Sequence, residues 1–220
     1  MRWQIIVVGG HTRSIGKTQL VCDLIAAFPN ENWIAGKITQ YGHGVCAQNG
    51  EDCDCAPDEH VCAISWEQRA NESDSGRFLA AGARRSFWLR TKQGFLAEGM
   101  PLFRQALRES ESDNAQAGHR RLILESNTLL QFLRPSLYLM VLDPSRADFK
   151  ESAKLQIDRA SALVLRQPAP LGVSPDGWAA IPLQLMHGKP QFLQREGDPL
   201  PQALLDQVRD TIHDAEGVSL

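Results

Sequence analysis

The chain has 220 residues, of which 43% are apolar and 22% are charged, and its formal net charge is −3. This length and composition are typical of an ordinary globular protein built around one core. The basic residues are scattered along the chain, which argues against nucleic acid as a partner. No apolar run is long enough to span a bilayer or to form a signal peptide, so we expect a cytoplasmic protein without a membrane partner.

The first predicted element is a strand at residues 3–8, an apolar, β-branched run that ends in Gly9-Gly10 and is typical of a buried parallel strand. A helix at 17–28 follows, because its apolar residues recur at helical spacing and stop before Pro29. The same reasoning predicts further strands at 33–39, 86–91, 122–124, 137–142, 162–165 and 179–186, and further helices at about 74–83, 96–107, 149–157 and 201–213.

Strands that alternate with helices predict an α/β fold with a doubly wound, mostly parallel sheet. All of these elements fit a single domain spanning residues 1–220. A polar stretch at about 42–66 shows no periodicity, so we predict that it is a cysteine-rich insert in that domain.

The turn between the first strand and the first helix carries Gly16-Lys17-Thr18. In a P-loop (the Walker A motif), backbone N–H groups surround phosphate oxygens, the lysine reaches the β- and γ-phosphates, and the threonine hydroxyl binds Mg²⁺. The first glycine of the usual pattern falls on His11, whose β-carbon could narrow the approach of phosphate or whose imidazole could contact it. The predicted nucleotide-binding residues are Gly10, His11, Thr12, Arg13, Ser14, Ile15, Gly16, Lys17, Thr18 and Gln19.

Two acidic residues are candidates to share a magnesium ion with Thr18 or to orient an attacking water. Glu125 follows the apolar triplet 122–124, at the carboxyl end of a predicted strand, where ligands bind in open α/β sheets. Asp74 precedes a predicted helix, where it could instead be a simple helix cap. Together with Lys17, these two carboxylates are the predicted catalytic residues.

Four segments of the chain share a pattern with a known family. They are GHTRSIGKT at 10–18, GKIT at 36–39, DSGR at 74–77 leading into AGA at 81–83, and LESN at 124–127. Together they resemble the MobB family, the GTP-binding adaptor of molybdenum-cofactor guanylylation, which belongs to a wider class of P-loop proteins that includes dethiobiotin synthetase. The resemblance covers roughly residues 3–165. It implies a P-loop NTPase fold and a magnesium site made from Thr18, Asp74 and Glu125, with Lys17 on the phosphates.

The chain departs from the pattern of this family in three places. His11 replaces a glycine of the loop, Ser126-Asn127 stands where glycine usually follows the strand-end glutamate, and the cysteine-rich insert is additional. These departures indicate a divergent branch whose substrate could differ from the molybdenum cofactor.

Four cysteines in the predicted insert follow the pattern C-x6-C-x-C-x6-C. Four thiolates suffice for tetrahedral Zn²⁺ or for an iron–sulfur cluster, and a loop without an apolar core needs such a link to be ordered. We therefore predict a metal site, with zinc favoured, and free or oxidisable thiols as the alternative. The predicted ligands are Cys46, Cys53, Cys55 and Cys62.

These patterns predict a protein that binds ATP or GTP with Mg²⁺ and acts as an NTPase or as a kinase-like phosphotransferase on a small molecule. The alternative is a nucleotide-switched adaptor or a metallochaperone-like protein in cofactor biosynthesis. No N-K-x-D stretch that would specify guanine is present, so the base is not identified. The acceptor is also not identified, and the sequence leaves open whether the protein forms a homodimer.

Overall fold

The computed structural model describes residues 2–42, 61–112, 120–167, 185–214 and 216–219. In this part of the chain, nine strands form one sheet. The strands are β1 (Arg2–Gly10), β2 (Ile34–Tyr41), β3 (Cys62–Trp66), β4 (Arg85–Lys92), β5 (Arg120–Glu125), β6 (Leu137–Leu142), β7 (Ala162–Leu165), β8 (Gln191–Leu193) and β9 (Val218–Ser219). The helices are α1 (Lys17–Ala27), α2 (Asp74–Ala80), α3 (Leu96–Ser112), α4 (Glu151–Lys154) and α5 (Gln202–His213), with short 3-10 turns at Pro29–Glu31, Thr128–Gln131 and Ile157–Arg159.

The strand order is β3-β4-β2-β5-β1-β6-β7-β8, and β9 pairs with β1 outside this path. Only β3 and β9 run antiparallel to their neighbours among these strands. The prediction of a doubly wound, mostly parallel sheet is therefore confirmed. Because β1, β2, β5, β6 and β7 run in the same direction, their carboxyl ends meet at one edge of the sheet, where ligands bind in folds of this kind.

Strand β1 lies at the centre of the sheet and is buried on both faces. Ile5 and Val7 pack in one apolar cluster with residues of α3, whereas Ile6 and Val8 pack in a second cluster with residues of α1 and α5. Helices on both faces explain why this strand is a continuous apolar run and does not alternate with polar residues.

Close packing beside β2 requires a glycine. Gly36 lies next to Phe87 of β4, and a β-carbon at Gly36 would come 2.3 Å from the phenyl ring. Phe87 is fully buried and its ring packs edge-on against Trp66 of β3. Gly36 thus leaves space for the Phe87 ring beside β2, the strand that carries Lys37.

The largest differences from the expected boundaries are at three places, and α3 also continues past its expected end at residue 107 to Ser112. Residues 62–66 of the expected insert belong to the sheet, because they form β3 against β4, whereas residues 43–60 lie outside the described part of the chain. Residues 179–184 of the strand expected at 179–186 also lie outside it, and the strand beside β7 is β8. The helix expected at 149–157 is split into α4 and a 3-10 turn. Within the described ranges, no helix has the length and apolar character needed to cross a membrane.

Candidate functional site

The loop between β1 and α1 lies at the carboxyl edge of the sheet. Helix α1 begins at Lys17, and no side chain caps its amino end. Gly16 has φ 87°, a left-handed conformation that favours glycine, and Ser14 also has positive φ at 49°. Helical amides that no side chain satisfies carry partial positive charge and attract anions, so this loop has the backbone geometry of a phosphate site.

Arg166, directly after β7, holds the end of the loop. Its Nε donates to the Ile15 carbonyl at 3.1 Å and its Nη2 donates to the Gly16 carbonyl at 2.6 Å. Its Nη1 donates to the carbonyl of Gln194 at 3.2 Å. The buried guanidinium is therefore satisfied by three backbone carbonyls, and a β-carbon at Gly16 would meet it at 2.5 Å.

Asn127 holds the beginning of the loop in a similar way. The Gly10 amide donates to its Oδ1 at 2.8 Å, and its Nδ2 donates to the Gly10 carbonyl at 2.9 Å. A β-carbon at Gly9 would lie 2.5 Å from both Asn127 Oδ1 and the Tyr138 hydroxyl oxygen. Gly9 is thus required by packing against Asn127 and Tyr138, whereas a β-carbon at Gly10 would come within 2.9 Å of the Ile15 side chain and 3.0 Å of the Lys17 side chain.

Lys17 curls back over the loop, and its Nζ donates to the Thr12 carbonyl at 3.0 Å. Burial lowers the pKa of Lys17, and the nearby Glu125 carboxylate opposes that shift. A desolvated ammonium inside the loop gains most from a multiply charged anion beside it, because Coulomb attraction is stronger where water is excluded.

The two predicted metal-binding acids have different partners. The Thr18 hydroxyl donates to Glu125 Oε2 at 2.7 Å, which joins the end of β5 to the first turn of α1. Asp74 forms an ion pair with Lys37 of β2. Ser73 is the residue that caps α2, by accepting from the Gly76 amide at 3.0 Å, so Asp74 is not the helix cap.

A cleft of about 1070 Å³ contains most of these groups. Seven of the ten predicted nucleotide-binding residues, Arg13 to Gln19 in sequence order, line it, together with Asp74 and Glu125. The Gln19 carboxamide is held by Arg77 of α2 at 2.6 Å. Gly10, His11 and Thr12 do not line the cleft.

His11 is fully buried. Its ring packs against Phe149 at 5.0 Å between centroids, its amide donates to the Val141 carbonyl, and its carbonyl accepts from the Lys150 amide at 2.8 Å. In this conformation the imidazole ties the loop to the segment after β6. Burial lowers the pKa of His11 to about 4, an effect that hydrogen bonding to the backbone at Val141 and the charge of Asp148 partly offset.

Three of the four predicted cysteine ligands, Cys46, Cys53 and Cys55, lie outside the described residues. Cys62 lies on β3, where its thiol is within hydrogen-bond distance of the Phe95 carbonyl at 3.4 Å and burial raises its pKa. In the described ranges, no group of three or more His, Cys, Asp or Glu side chains could hold a metal ion. The fifth cysteine, Cys22, is buried in α1.

Three residues of this site were not among the predicted site residues. Lys37 could have been found, because it lies in a predicted strand and within the 36–39 segment that carries the family resemblance. Arg166 and Asn127 act through contacts with a loop more than 100 residues away in sequence, and no local pattern reveals such pairings.

Comparisons with solved structures show the fold. The crystal structure of HypB from Helicobacter pylori in complex with nickel has a TM-score of 0.54 and 13% sequence identity, covering 97% of this chain and 91% of that chain. A structure of LpxK from Aquifex aeolicus in complex with ATP has a TM-score of 0.48 and 16% identity, covering 88% of this chain and 54% of that chain. No protein-family model and no curated protein matches the sequence. The likeness to HypB shows that the chain has the fold of P-loop NTPases.

The buried imidazole of His11 gives the first testable prediction. Its native pKa of about 4 lies below the ordinary value of 6.5. Between these values the unfolded chain binds more protons than the native one, so the free energy of unfolding rises with pH. His11 adds at most about 1.4 kcal/mol per pH unit to that slope. We expect urea unfolding between pH 4 and 7 to show a smaller slope in His11→Gln than in the wild type.

The matched control is His187→Gln, because His187 is exposed. This variant should keep the wild-type slope. Equal slopes in the wild type and in His11→Gln would show that the native state protonates His11 as easily as the unfolded chain does.

Proposed function

We propose that this protein binds a magnesium nucleoside triphosphate and hydrolyses it or transfers its γ-phosphoryl group to a small acceptor. The observation that carries the proposal is the meeting of four distant segments in one cleft. Lys17 and Thr18 come from the loop, Lys37 from β2, Asp74 from α2 and Glu125 from β5. These are a phosphate-binding loop, oxygen ligands and a second ammonium group, which are the parts that phosphoryl transfer needs.

The phosphates are bound by backbone amides and by Lys17. The amino end of α1 contributes amides that no side chain caps, and the half-buried ammonium of Lys17 provides the positive charge beside them. Because Arg166 and Asn127 bind the carbonyls at both ends of the loop, the loop is held in shape before the anion arrives. Such preorganisation lowers the entropy cost of binding.

The oxygen atoms of Thr18 and Glu125 fit a magnesium ion. They lie 2.7 Å apart at the amino end of α1, and Glu125 is 6% exposed. Mg²⁺ prefers hard oxygen ligands and is usually held by one or two protein groups together with phosphate oxygens. When bound, it would neutralise phosphate charge. Asp74 would contribute to the magnesium site through Lys37 or through a water molecule, because its carboxylate forms an ion pair with the Lys37 ammonium.

Lys37 is proposed as a second catalytic cation. In the sheet it pairs directly with Glu125, and its ammonium is held by Asp74. Its positive charge contributes to lowering the pKa of Lys17, after the larger effect of burial, and both lysines line the same cleft. Two cations in one cleft favour an anion bound near them. Lys37 would stabilise the charge that grows on the transferring phosphoryl group.

A second candidate is a nucleotide-switched adaptor of the MobB type. The observation that favours it is that the four segments carrying the resemblance, 10–18, 36–39, 74–77 and 124–127, all contribute residues to the same cleft. HypB, which has the same fold, was crystallised with nickel. An adaptor would bind triphosphate and gain thermal stability by linkage, whereas its multiple-turnover hydrolysis would be negligible.

Equilibrium binding of nucleotides tests the role of the loop. We expect Lys17→Ala to weaken the binding of GTP and ATP, each with Mg²⁺, by at least about tenfold, because a charge-assisted hydrogen bond to phosphate is lost. The matched control is Lys154→Ala, which removes an ammonium paired with Glu151 outside the cleft. Unchanged nucleotide affinity in Lys17→Ala would remove the loop from the proposed function.

Lys37 is tested by phosphate release under saturating nucleotide. If Lys37 acts mainly on the transition state, Lys37→Ala should lower kcat by about 100-fold or more, while Kd for the triphosphate changes less. Lys37→Arg should retain part of the activity because it keeps the charge. Wild-type protein that binds triphosphate but releases no phosphate over many hours would favour the adaptor, and equal loss of affinity and rate would assign Lys37 to binding alone.

The cysteine pattern supports a further proposal, a zinc or iron–sulfur site. Its ligands would be Cys46, Cys53, Cys55 and Cys62. Elemental analysis of protein purified without chelator should show about one zinc ion per chain, or iron with sulfide. Cys53→Ser should lower the metal content, whereas Cys22→Ala, outside the pattern, should not. Metal-free protein in which all four thiols are alkylated in the native state would contradict the site.

A further inference from the structure

The cleft continues beyond the loop toward a turn that the proposed function does not use. This acidic turn, residues 194–198, follows β8 and places Glu196, Gly197 and Asp198 in the wall of the cleft. Glu196 and Asp198 are exposed. Neither carboxylate forms a hydrogen bond or an ion pair with a described residue.

The acidic turn is fixed to the same guanidinium that holds the phosphate loop. Arg166 donates to the Gln194 carbonyl at 3.2 Å, and the Gln194 amide donates to the Leu165 carbonyl at 2.9 Å. The Gln194 side chain donates to the carbonyl of Asp198 at 2.9 Å, which closes the turn. Phosphate loop and acidic turn are therefore held at a defined separation by one buried side chain.

The direction of a bound nucleotide follows from where the charged groups lie. Lys37 and Glu125 come from β2 and β5, which lie on one side of β1 in the sheet, and Asp74 begins α2, which packs against β2 and β4 on that side. The reacting end of the triphosphate therefore lies on that side. The nucleoside must leave the loop on the opposite side of β1, over β6, β7 and β8, where the acidic turn is found.

The acidic turn presents hydrogen-bond acceptors. An ionised carboxylate accepts and cannot donate. Gln194 is 2% exposed, lines the cleft, and its Oε1 has no hydrogen-bond partner within the described ranges. Carboxylates would repel the triphosphate, so on the β8 side of the cleft they suit the uncharged base of a nucleotide. Acceptors select a base with donor groups on its edge.

We propose that Glu196 and Asp198 read the base and select guanine over adenine; this inference rests on the proposed function. Guanine presents the adjacent donors N1–H and N2–H₂, which can pair with the two oxygens of one carboxylate. Adenine presents only the N6 donor beside the N1 lone pair, which a carboxylate repels. The turn would thus distinguish guanine from adenine in a chain that has no N-K-x-D stretch to do so.

The test is equilibrium binding of GTP, ATP and xanthosine triphosphate, each with Mg²⁺, to the full chain. Wild-type protein should bind GTP at least about tenfold more tightly than ATP, since ATP cannot form the charge-assisted hydrogen bonds to the carboxylate. Glu196→Gln and Asp198→Asn are then compared. At the position that contacts the base, the new carboxamide can accept from N1–H and donate to the C2 oxygen of xanthine. The affinity for GTP should therefore fall, and the affinity for xanthosine triphosphate should rise by about tenfold.

The matched control is Asp210→Asn on α5, which removes the same charge outside the cleft and should leave all three affinities unchanged. A gain of binding to xanthosine triphosphate cannot come from a merely damaged fold. The proposal is overturned if ATP binds the wild type as tightly as GTP, or if neither turn variant changes the order of affinities. Failure of every nucleotide to bind, or unchanged binding in Lys17→Ala, would instead overturn the proposed function.

Discussion

The conformation of the loop after β1 depends on which groups form hydrogen bonds with its backbone carbonyls. A phosphate site needs amides that point inward, so the carbonyls must find partners elsewhere in the protein. Here Asn127 binds the carbonyl of Gly10, Lys17 binds that of Thr12, and Arg166 binds those of Ile15 and Gly16. Strands β5 and β7 end beside the loop and thereby supply two of these three partners. The conformation of the loop thus depends largely on residues that follow strands of the central sheet.

Charged groups of both signs line the cleft on each side of β1. Lys37 and Glu125 lie on the side of β2 and β5, whereas Glu196 and Asp198 lie on the side of β6 and β8, together with Arg146. A phosphorylated ligand would therefore be oriented by individual ion pairs and hydrogen bonds, and not by a net difference in charge between the two sides.

Much of the fold could be predicted from the sequence, because it rests on local patterns. Strands β6 and β7 fall at the expected residues, and β1 and α1 differ by a few residues, since the strands are continuous apolar runs and the helix has apolar residues at helical spacing. Edge strands were less predictable. β3 and β8 are short, and their pairing is decided by the neighbouring strand. The loop and Glu125 were visible as motifs, whereas the contacts of Asn127 and Arg166 join residues that are far apart in sequence.

His11 stands where the usual P-loop pattern has glycine, and its ring contacts the segment that follows β6. The imidazole fills the space beside Phe149 beneath the loop, and the backbone of His11 is hydrogen-bonded to Val141 of β6 and to Lys150 before α4. Glycine at this position would leave a cavity under the loop and remove the contact with the Phe149 ring. A glycine that matches the usual pattern would therefore destabilise this loop, because the packing beneath it is built around the imidazole.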